Sequence, residues 1–151
     1  MTQERRNTEK LIKKILVGTD FSPYSEKAVD YAVQLANEFG AKIVLVHVIE
    51  SFGYSVTDSM TVVGHDKALT VTAKALLDNL KKQLMEEGLS VNGHLADGTP
   101  YREIIKKAKE EAVDLIVVGT HGRSGVEHLL IGSVAEKVVR AAHCPVLTVR
   151  S

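Results

Sequence analysis

The regular alternation of short apolar runs with helical segments is the feature that most constrains the fold of this chain. The apolar runs are rich in β-branched residues and lie at residues 14–18, 41–49, 89–95, 115–118 and 146–149. The segments between them carry apolar side chains at helical spacing and span residues 23–39, 65–87, 100–111 and 134–142. A repeating β-α pattern builds a parallel sheet with helices on both faces. We therefore predict one α/β domain over residues 1–151, of which residues 1–12 form a polar N-terminal segment.

Local signals set the expected ends of the elements. Ser22-Pro23 and Thr99-Pro100 each place a capping side chain before a proline, the order that begins helices. Gly40 is placed to end the first helix. Asp97-Gly98 predicts a turn, and residues 50–64, which have no clean period, predict a mobile connection.

The predicted topology also predicts where a ligand binds. Right-handed crossovers restrict the strand order, and a chain that runs outward from its first strand and then returns to the other side gives the order 3-2-1-4-5. The first and fourth strands then become neighbours at a topological switch point, where ligands of open α/β sheets bind. Asp20 follows the first strand, Gly119 follows the fourth, and His47-Val48 lies near the end of the second.

A glycine-rich loop falls at this same predicted crevice. Gly119-Thr120-His121-Gly122 is followed by nine residues and then by Gly132-Ser133, between a buried strand and a helix. Glycines let backbone approach a ligand closely, and the first N–H groups of a helix attract anions. The loop therefore predicts a phosphate site.

Composition limits the functional classes. The 151 residues include 19 basic and 19 acidic side chains, which argues against a nucleic-acid-binding domain. We expect neither a membrane span nor a secretory signal, because no apolar run is long enough. The single cysteine, Cys144, cannot form an internal disulfide. These observations predict a cytoplasmic protein.

The glycine motif and three further stretches resemble the universal stress protein family, in particular its ATP-binding branch. That branch is marked by Gly-x2-Gly-x9-Gly-[Ser/Thr], which here is Gly119-x2-Gly122-x9-Gly132-Ser133. The opening KKILVGTDFSPYSEKAV is similar to the family's first strand and helix, VLVHVI to its second strand and CPVLTV to its last. The resemblance covers nearly the whole chain.

The resemblance implies a five-stranded parallel sheet with ATP in the crevice, adenine near Val48 and ribose near Asp20 and Gly119. It implies phosphate contacts from Gly122, Arg123, Gly132, Ser133 and Val134. Gly18, Thr19 and Val118 would line the site. AMP or ADP in place of ATP, and Mg²⁺ or Mn²⁺ bound through the phosphates, stay open. The family also implies a homodimer through the last strand, Val146–Val149, an unpaired edge that can join its symmetry mate.

Structural alternatives stay open at several of these positions. The glycines can serve only to turn the chain, and Ser133 or Asp20 can cap a helix. Arg123 has the fork geometry that suits phosphate, but it can equally be a solvated side chain. His121 and His128 are seven residues apart, which matches no standard zinc spacing, so we predict no metal site built from protein ligands.

Three functional hypotheses remain at the level of the sequence: an ATP-binding regulatory domain of the stress response, a slow ATPase, and a dimeric interaction module with a vestigial nucleotide site. The chain has no G-x-x-x-x-G-K-[ST] loop and no G-x-S-x-G nucleophile elbow. His121 is a candidate base, although no catalytic residue can be assigned. We favour the regulatory domain, with residues 123–131 and 50–64 as candidate switch segments and an unidentified protein partner.

Overall fold

A computed structural model describes residues 9–50, 59–121 and 131–150, apart from the side chains of residues 59–66. The elements follow the predicted alternation of strands and helices. In chain order they are β1 (Lys14–Gly18), α1 (Pro23–Phe39), β2 (Lys42–Glu50), α2 (Ser59–Glu86), β3 (Val91–Gly98), α3 (Pro100–Glu110), β4 (Leu115–Gly119), α4 (Ser133–Ala141) and β5 (Val146–Val149).

The strands form one parallel sheet in the order β3-β2-β1-β4-β5, which confirms the predicted order. β1 is central, with Ile15 opposite Ile43 of β2 on one side and Leu115 of β4 on the other. β3 and β5 are the outer strands. The chain order reverses between β1 and β4, so the carboxyl ends of these two strands flank the switch point.

Apolar side chains fill both faces of the sheet because successive residues of a strand point to opposite sides. Ile15 and Val17 belong to the core beneath α1 and α2, whereas Leu16 belongs to the core beneath α3 and α4. All three side chains are fully buried. A strand that is apolar at every position is therefore the sequence signature of a sheet with helices packed on both faces.

The predicted cap residues begin and end the helices. The Ser22 hydroxyl accepts a hydrogen bond from the Ser25 N–H at 3.3 Å, and Pro23 takes the first helical position. Gly40 ends α1 in the left-handed conformation, with φ at 65°. Thr99-Pro100 begins α3 in the same way, although the Thr99 side chain makes no cap hydrogen bond.

The predicted start of α2 is wrong, and so are both ends of the predicted mobile connection at 50–64. α2 begins at Ser59 rather than at residue 65, and Glu50 closes β2, while residues 51–58 lie outside the described part of the chain. Gly64 lies inside this helix, where a glycine costs only about 1 kcal/mol relative to alanine. That cost is too small to end a long helix.

The predicted turn at Asp97-Gly98 is also wrong, because both residues lie in β3. β3 starts at Val91 and pairs with β2 along its whole length, so that Ile49 faces Asp97 and Glu50 faces Gly98. Because β2 continues to Glu50, it offers backbone pairing partners to Asp97 and Gly98. This pairing keeps the two residues in an extended conformation. The prediction that β3 is an edge strand is confirmed.

Candidate functional site

A cavity of about 550 Å³ lies at the carboxyl ends of β1, β2 and β4. It therefore occupies the switch point of the sheet, where open α/β folds bind ligands. Its size is typical of small-molecule sites, which span roughly 300–1,000 Å³.

The cavity brings together every predicted site residue that the structure describes. These residues are Gly18, Thr19, Asp20, Val48, Val118, Gly119, Gly132, Ser133 and Val134. Gly122, Arg123 and residues 124–130 of the candidate switch segment at 123–131 lie outside the described residues. The lining thus assembles residues from three strand ends and from the start of α4, which are far apart in the sequence.

Hydrogen bonds shape the β1–α1 turn at the cavity. The Asp20 carboxylate accepts from the Ser22 N–H through Oδ1 at 2.9 Å, so it closes a turn ahead of α1. Ser22 is the N-cap of α1, and the alternative that Asp20 caps this helix is wrong. Thr19 Oγ1 accepts from the Phe21 N–H at 3.0 Å. Asp20 is thereby held at the lip of the cavity by its own turn.

Phe21 has a backbone conformation that bulky residues rarely adopt, with φ at 62°. Its ring lies against the imidazole of His47, with the two ring centroids 4.5 Å apart. His47 is both a core residue and part of the cavity wall, because its side chain is 6% exposed and lines the cavity.

Close backbone packing favours glycine at two positions of the motif, whether or not a ligand binds. A Cβ atom on Gly132 would lie 2.7 Å from the Thr120 carbonyl oxygen, a distance that forces the backbone to move. A Cβ atom on Gly119 would lie 3.2 Å from the Tyr24 carbonyl oxygen. The Gly132 N–H also donates to the Thr120 carbonyl, which ties α4 to the end of β4.

The N-terminus of α4 opens into the cavity without a side-chain cap. Gly132 is the N-cap residue, and among the described residues no side-chain cap hydrogen bond reaches the first N–H groups of the helix. Ser133 occupies the first helical position, so the alternative that it caps α4 is wrong. Ser133, Val134 and Ala135 all line the cavity. Uncapped N–H groups and the helix dipole together favour an anion here.

The charged groups of the described lining are acidic. Asp20 and Glu50 line the cavity, and no lysine or arginine does so among the described residues. Within the described lining, an anion would therefore be attracted by the dipole of α4 and not by a cationic side chain. The carboxylates of the lining suit hydroxyl donors or a cation. Within the described ranges, no cluster of three or more histidine, cysteine or acidic side chains has the geometry of a metal site.

Sequence reasoning missed one wall of the cavity. It is formed by α2 and by the start of α3, through Leu69, Thr72, Ala73, Leu76, Pro100 and Ile104. The spacing of Leu69, Ala73 and Leu76 is a usable signal for one helical face, but it does not show that this face borders a cavity. Leu69 and Leu76 remain 50% and 42% exposed, as expected of residues that border an open cavity.

None of the helices in the described part of the chain combines the length and the apolar character that a bilayer crossing requires.

Comparison with known proteins identifies the family. The model of the universal stress protein family matches residues 11–150. Universal stress protein MJ0531 of Methanocaldococcus jannaschii is 36% identical over 148 residues, which are 96% of this chain and 86% of that protein.

Solved structures agree with this match. The structure of MJ0577 from the same organism has a TM-score of 0.81 and 33% identity, and it covers 93% of this chain and 97% of that chain. A universal stress protein in complex with cAMP has a TM-score of 0.69 and 26% identity, with 92% of this chain and 97% of that chain covered. On this match of sequence and fold, the chain belongs to the universal stress protein family.

Proposed function

We propose that this chain is a nucleotide-dependent regulatory domain that binds ATP in the cavity at the switch point of its sheet. The N-terminus of α4 is the observation that carries this proposal, because its first N–H groups lie at a cavity of nucleotide size and its N-cap glycine offers them no side-chain acceptor. A structural relative with cAMP bound supports the choice of an adenine nucleotide.

The polarity of the lining fits the parts of such a ligand. Phosphates would lie at Gly132, Ser133 and Val134, where the α4 dipole favours negative charge. Asp20 would repel phosphate but would accept hydrogen bonds from ribose hydroxyls. The apolar wall of α2 would cover the base. Mg²⁺ or Mn²⁺ bound through the phosphates would offset the charge of Asp20 and Glu50.

The identity of the ligand is tested first on the purified, untreated protein. Denaturation, removal of the chain and mass spectrometry of the released small molecules should yield an adenine nucleotide. ATP in near-stoichiometric amount supports a regulatory domain with slow or no hydrolysis, whereas ADP or AMP favours turnover or AMP binding. Release of no nucleotide, together with no heat in an ATP titration with Mg²⁺, would overturn the proposal.

We also propose that the chain forms a homodimer through β5. The Pro145 carbonyl accepts from the Ile116 N–H, and the Val149 carbonyl accepts from the Thr120 N–H. Successive residues of a strand point their backbone N–H and C=O groups to opposite sides. Pro145 and Val149 point toward β4, so Thr148 points its own N–H and C=O groups toward the open edge. That edge has no neighbouring strand in the described part of the chain.

The Thr148→Pro variant tests the dimer, because proline removes an outward N–H group and leaves the ladder with β4 in place. Sedimentation equilibrium should give a dimer for the original chain and a monomer for this variant. Thr148→Val keeps the N–H group and should remain a dimer. If Thr148→Pro is folded and dimeric, pairing through β5 is wrong.

A further inference from the structure

His47 is a buried polar residue in an otherwise apolar strand, and one hydrogen bond explains its position. Its Nδ1 atom lies 2.7 Å from the Thr19 carbonyl oxygen. A carbonyl only accepts, so Nδ1 carries the proton and donates it. Burying an imidazole among valines and leucines is costly unless it makes such bonds. The bond joins β2 to the turn that follows β1.

Thr19, which accepts the hydrogen bond from His47, makes further hydrogen bonds to β2 and to the rest of the turn. Its N–H donates to the Val46 carbonyl at 2.9 Å, which extends the pairing of β1 with β2. Its hydroxyl lies 3.1 Å from the hydroxyl of Ser25. The Ser25 hydroxyl donates to the Ser22 carbonyl at 3.0 Å, so its one proton is committed and Thr19 must be the donor between the two hydroxyls. These hydrogen bonds among Thr19, Ser22 and Ser25 therefore have one consistent set of proton positions.

Phe21 is held by the same group of residues. Its left-handed backbone costs of order 1–2 kcal/mol for a residue with a side chain. The ring contact with His47 and the hydrogen bond from the Phe21 N–H to Thr19 Oγ1 hold this conformation in place. Removal of the imidazole would loosen both the Thr19 carbonyl and the Phe21 ring.

Asp20 lies between these two anchored residues. Its N–H donates to Ser25 Oγ at 3.3 Å, and its Oδ1 accepts from the Ser22 N–H. We propose that His47 is a positioning residue for nucleotide binding, which acts through Thr19 and Phe21 to fix the Asp20 carboxylate at the cavity. This inference rests on the proposed function and assigns a role to a residue outside the glycine motif.

Two variants separate positioning from simple filling of the core. His47→Leu keeps apolar volume and removes the N–H donor. His47→Asn is smaller, but its amide nitrogen falls near the place of Nδ1 and retains the donor to the Thr19 carbonyl. A packing role would make asparagine the worse replacement, whereas a positioning role makes it the better one.

Amide hydrogen exchange of the nucleotide-free protein is the first measurement. For His47→Leu we expect exchange at the Phe21 and Ser22 N–H groups to rise about tenfold or more, because a lost buried hydrogen bond is worth that factor. His47→Asn should stay within about threefold of the original chain. Equal exchange in His47→Leu and in the original chain would overturn the inference, whether or not ATP binds.

Calorimetric titration with Mg-ATP then links the turn to the ligand. His47→Leu should weaken binding about tenfold, and His47→Asn should restore most of the affinity. In an Asp20→Ala background the same leucine substitution should cost less than about twofold, because coupled residues are not additive. If the original chain binds no ATP, the proposed function fails. If it binds ATP and His47→Leu binds equally well, the positioning role fails.

Discussion

The two ends of the sheet use similar polar residues for opposite purposes. At the amino end, Asp114 Oδ2 accepts from the backbone N–H groups of Lys13 at 2.8 Å and Lys14 at 2.9 Å. At the carboxyl end, Asp20 and the uncapped start of α4 border a cavity. Polar groups that bind each other stabilise the fold, whereas groups that face a cavity keep bonding capacity for a ligand at some cost in stability.

At the amino end of the sheet, hydrogen bonds and ion pairs connect several elements. Lys14 Nζ donates to the Glu111 carbonyl at 2.8 Å, and the Asp114 N–H donates to the Lys14 carbonyl at 2.9 Å. Glu111 also lies 3.4 Å from Nε2 of His94, measured from its Oε1 atom. The contacts join β1, β3 and the turn between α3 and β4. This end of the sheet is therefore expected to carry stability and no ligand.

The largest effect that we predict is a loss of stability in Asp114→Ala. The substitution leaves two backbone N–H groups without their charged acceptor, and the expected loss in the free energy of unfolding is about 2–3 kcal/mol. Urea unfolding followed by circular dichroism measures it. ATP affinity should not change, since the site is at the other end of the strands.

Asp114→Asn is the matched control, because it keeps an acceptor oxygen but removes the charge. Its loss should be about half that of the alanine variant, because neutral hydrogen bonds are weaker than charged ones. The contrast between the two ends would break down if Asp114→Ala were as stable as the original chain, or if it weakened ATP binding while remaining folded.

The second prediction concerns the carboxyl end, through Gly132→Ala. The new Cβ would lie 2.7 Å from the Thr120 carbonyl oxygen, so the start of α4 must shift away from β4. Overpacking of this kind costs about 1–3 kcal/mol. We expect ATP binding to weaken at least about tenfold, which corresponds to roughly 1.4 kcal/mol.

Gly93→Ala is the control, since its Cβ would meet Lys81 Cδ at an ordinary 3.5 Å. Gly119→Ala should fall between the two, because its nearest backbone oxygen would be 3.2 Å away. Calorimetry and thermal melts on the three variants give the ranking. A Gly132→Ala protein that binds ATP like the original chain would show that α4 need not be held against Thr120.

The order of the elements could be predicted because its signals are local. Ser22, Pro23 and Gly40 mark the ends of α1 by their own chemistry, and the β-branched runs mark the strands. The location of the cavity followed from topology, because parallel strands bring their carboxyl ends to one edge. Asp20 and Gly119 were therefore placed together without any knowledge of side-chain contacts.

What could not be predicted depends on contacts between distant segments. The extension of β3 through Asp97 is imposed by the length of β2. Phe21 combines a left-handed backbone with a ring contact to the distant His47, and the α2 wall uses leucines that any buried helical face would also show. A stripe of apolar residues has the same spacing in a core as beside a cavity, so periodicity alone cannot separate them.

The smallest predicted effect is a pH dependence of stability that originates at His94. Burial lowers the pKa of His94 below its ordinary value of 6.5, and Lys107 lowers it further, while Glu111 acts in the opposite direction. Glu110 also raises this pKa and Lys81 lowers it, more weakly. Below pH 6.5 the unfolded chain therefore binds a proton that the folded chain still excludes.

The sign of the effect follows from this difference in proton binding. His94 contributes full stability above pH 6.5, and this contribution is lost as the pH falls toward the lower pKa of the folded state. Urea unfolding between pH 7.5 and 5 should show a steeper loss of stability in the original chain than in His94→Gln, which cannot titrate. Equal slopes for the two proteins would exclude His94 as the source. If instead the original chain gained stability as the pH fell, the attraction of Glu111 would outweigh burial and Lys107, and the charged pair rather than the neutral imidazole would be the stable form at this end of the sheet.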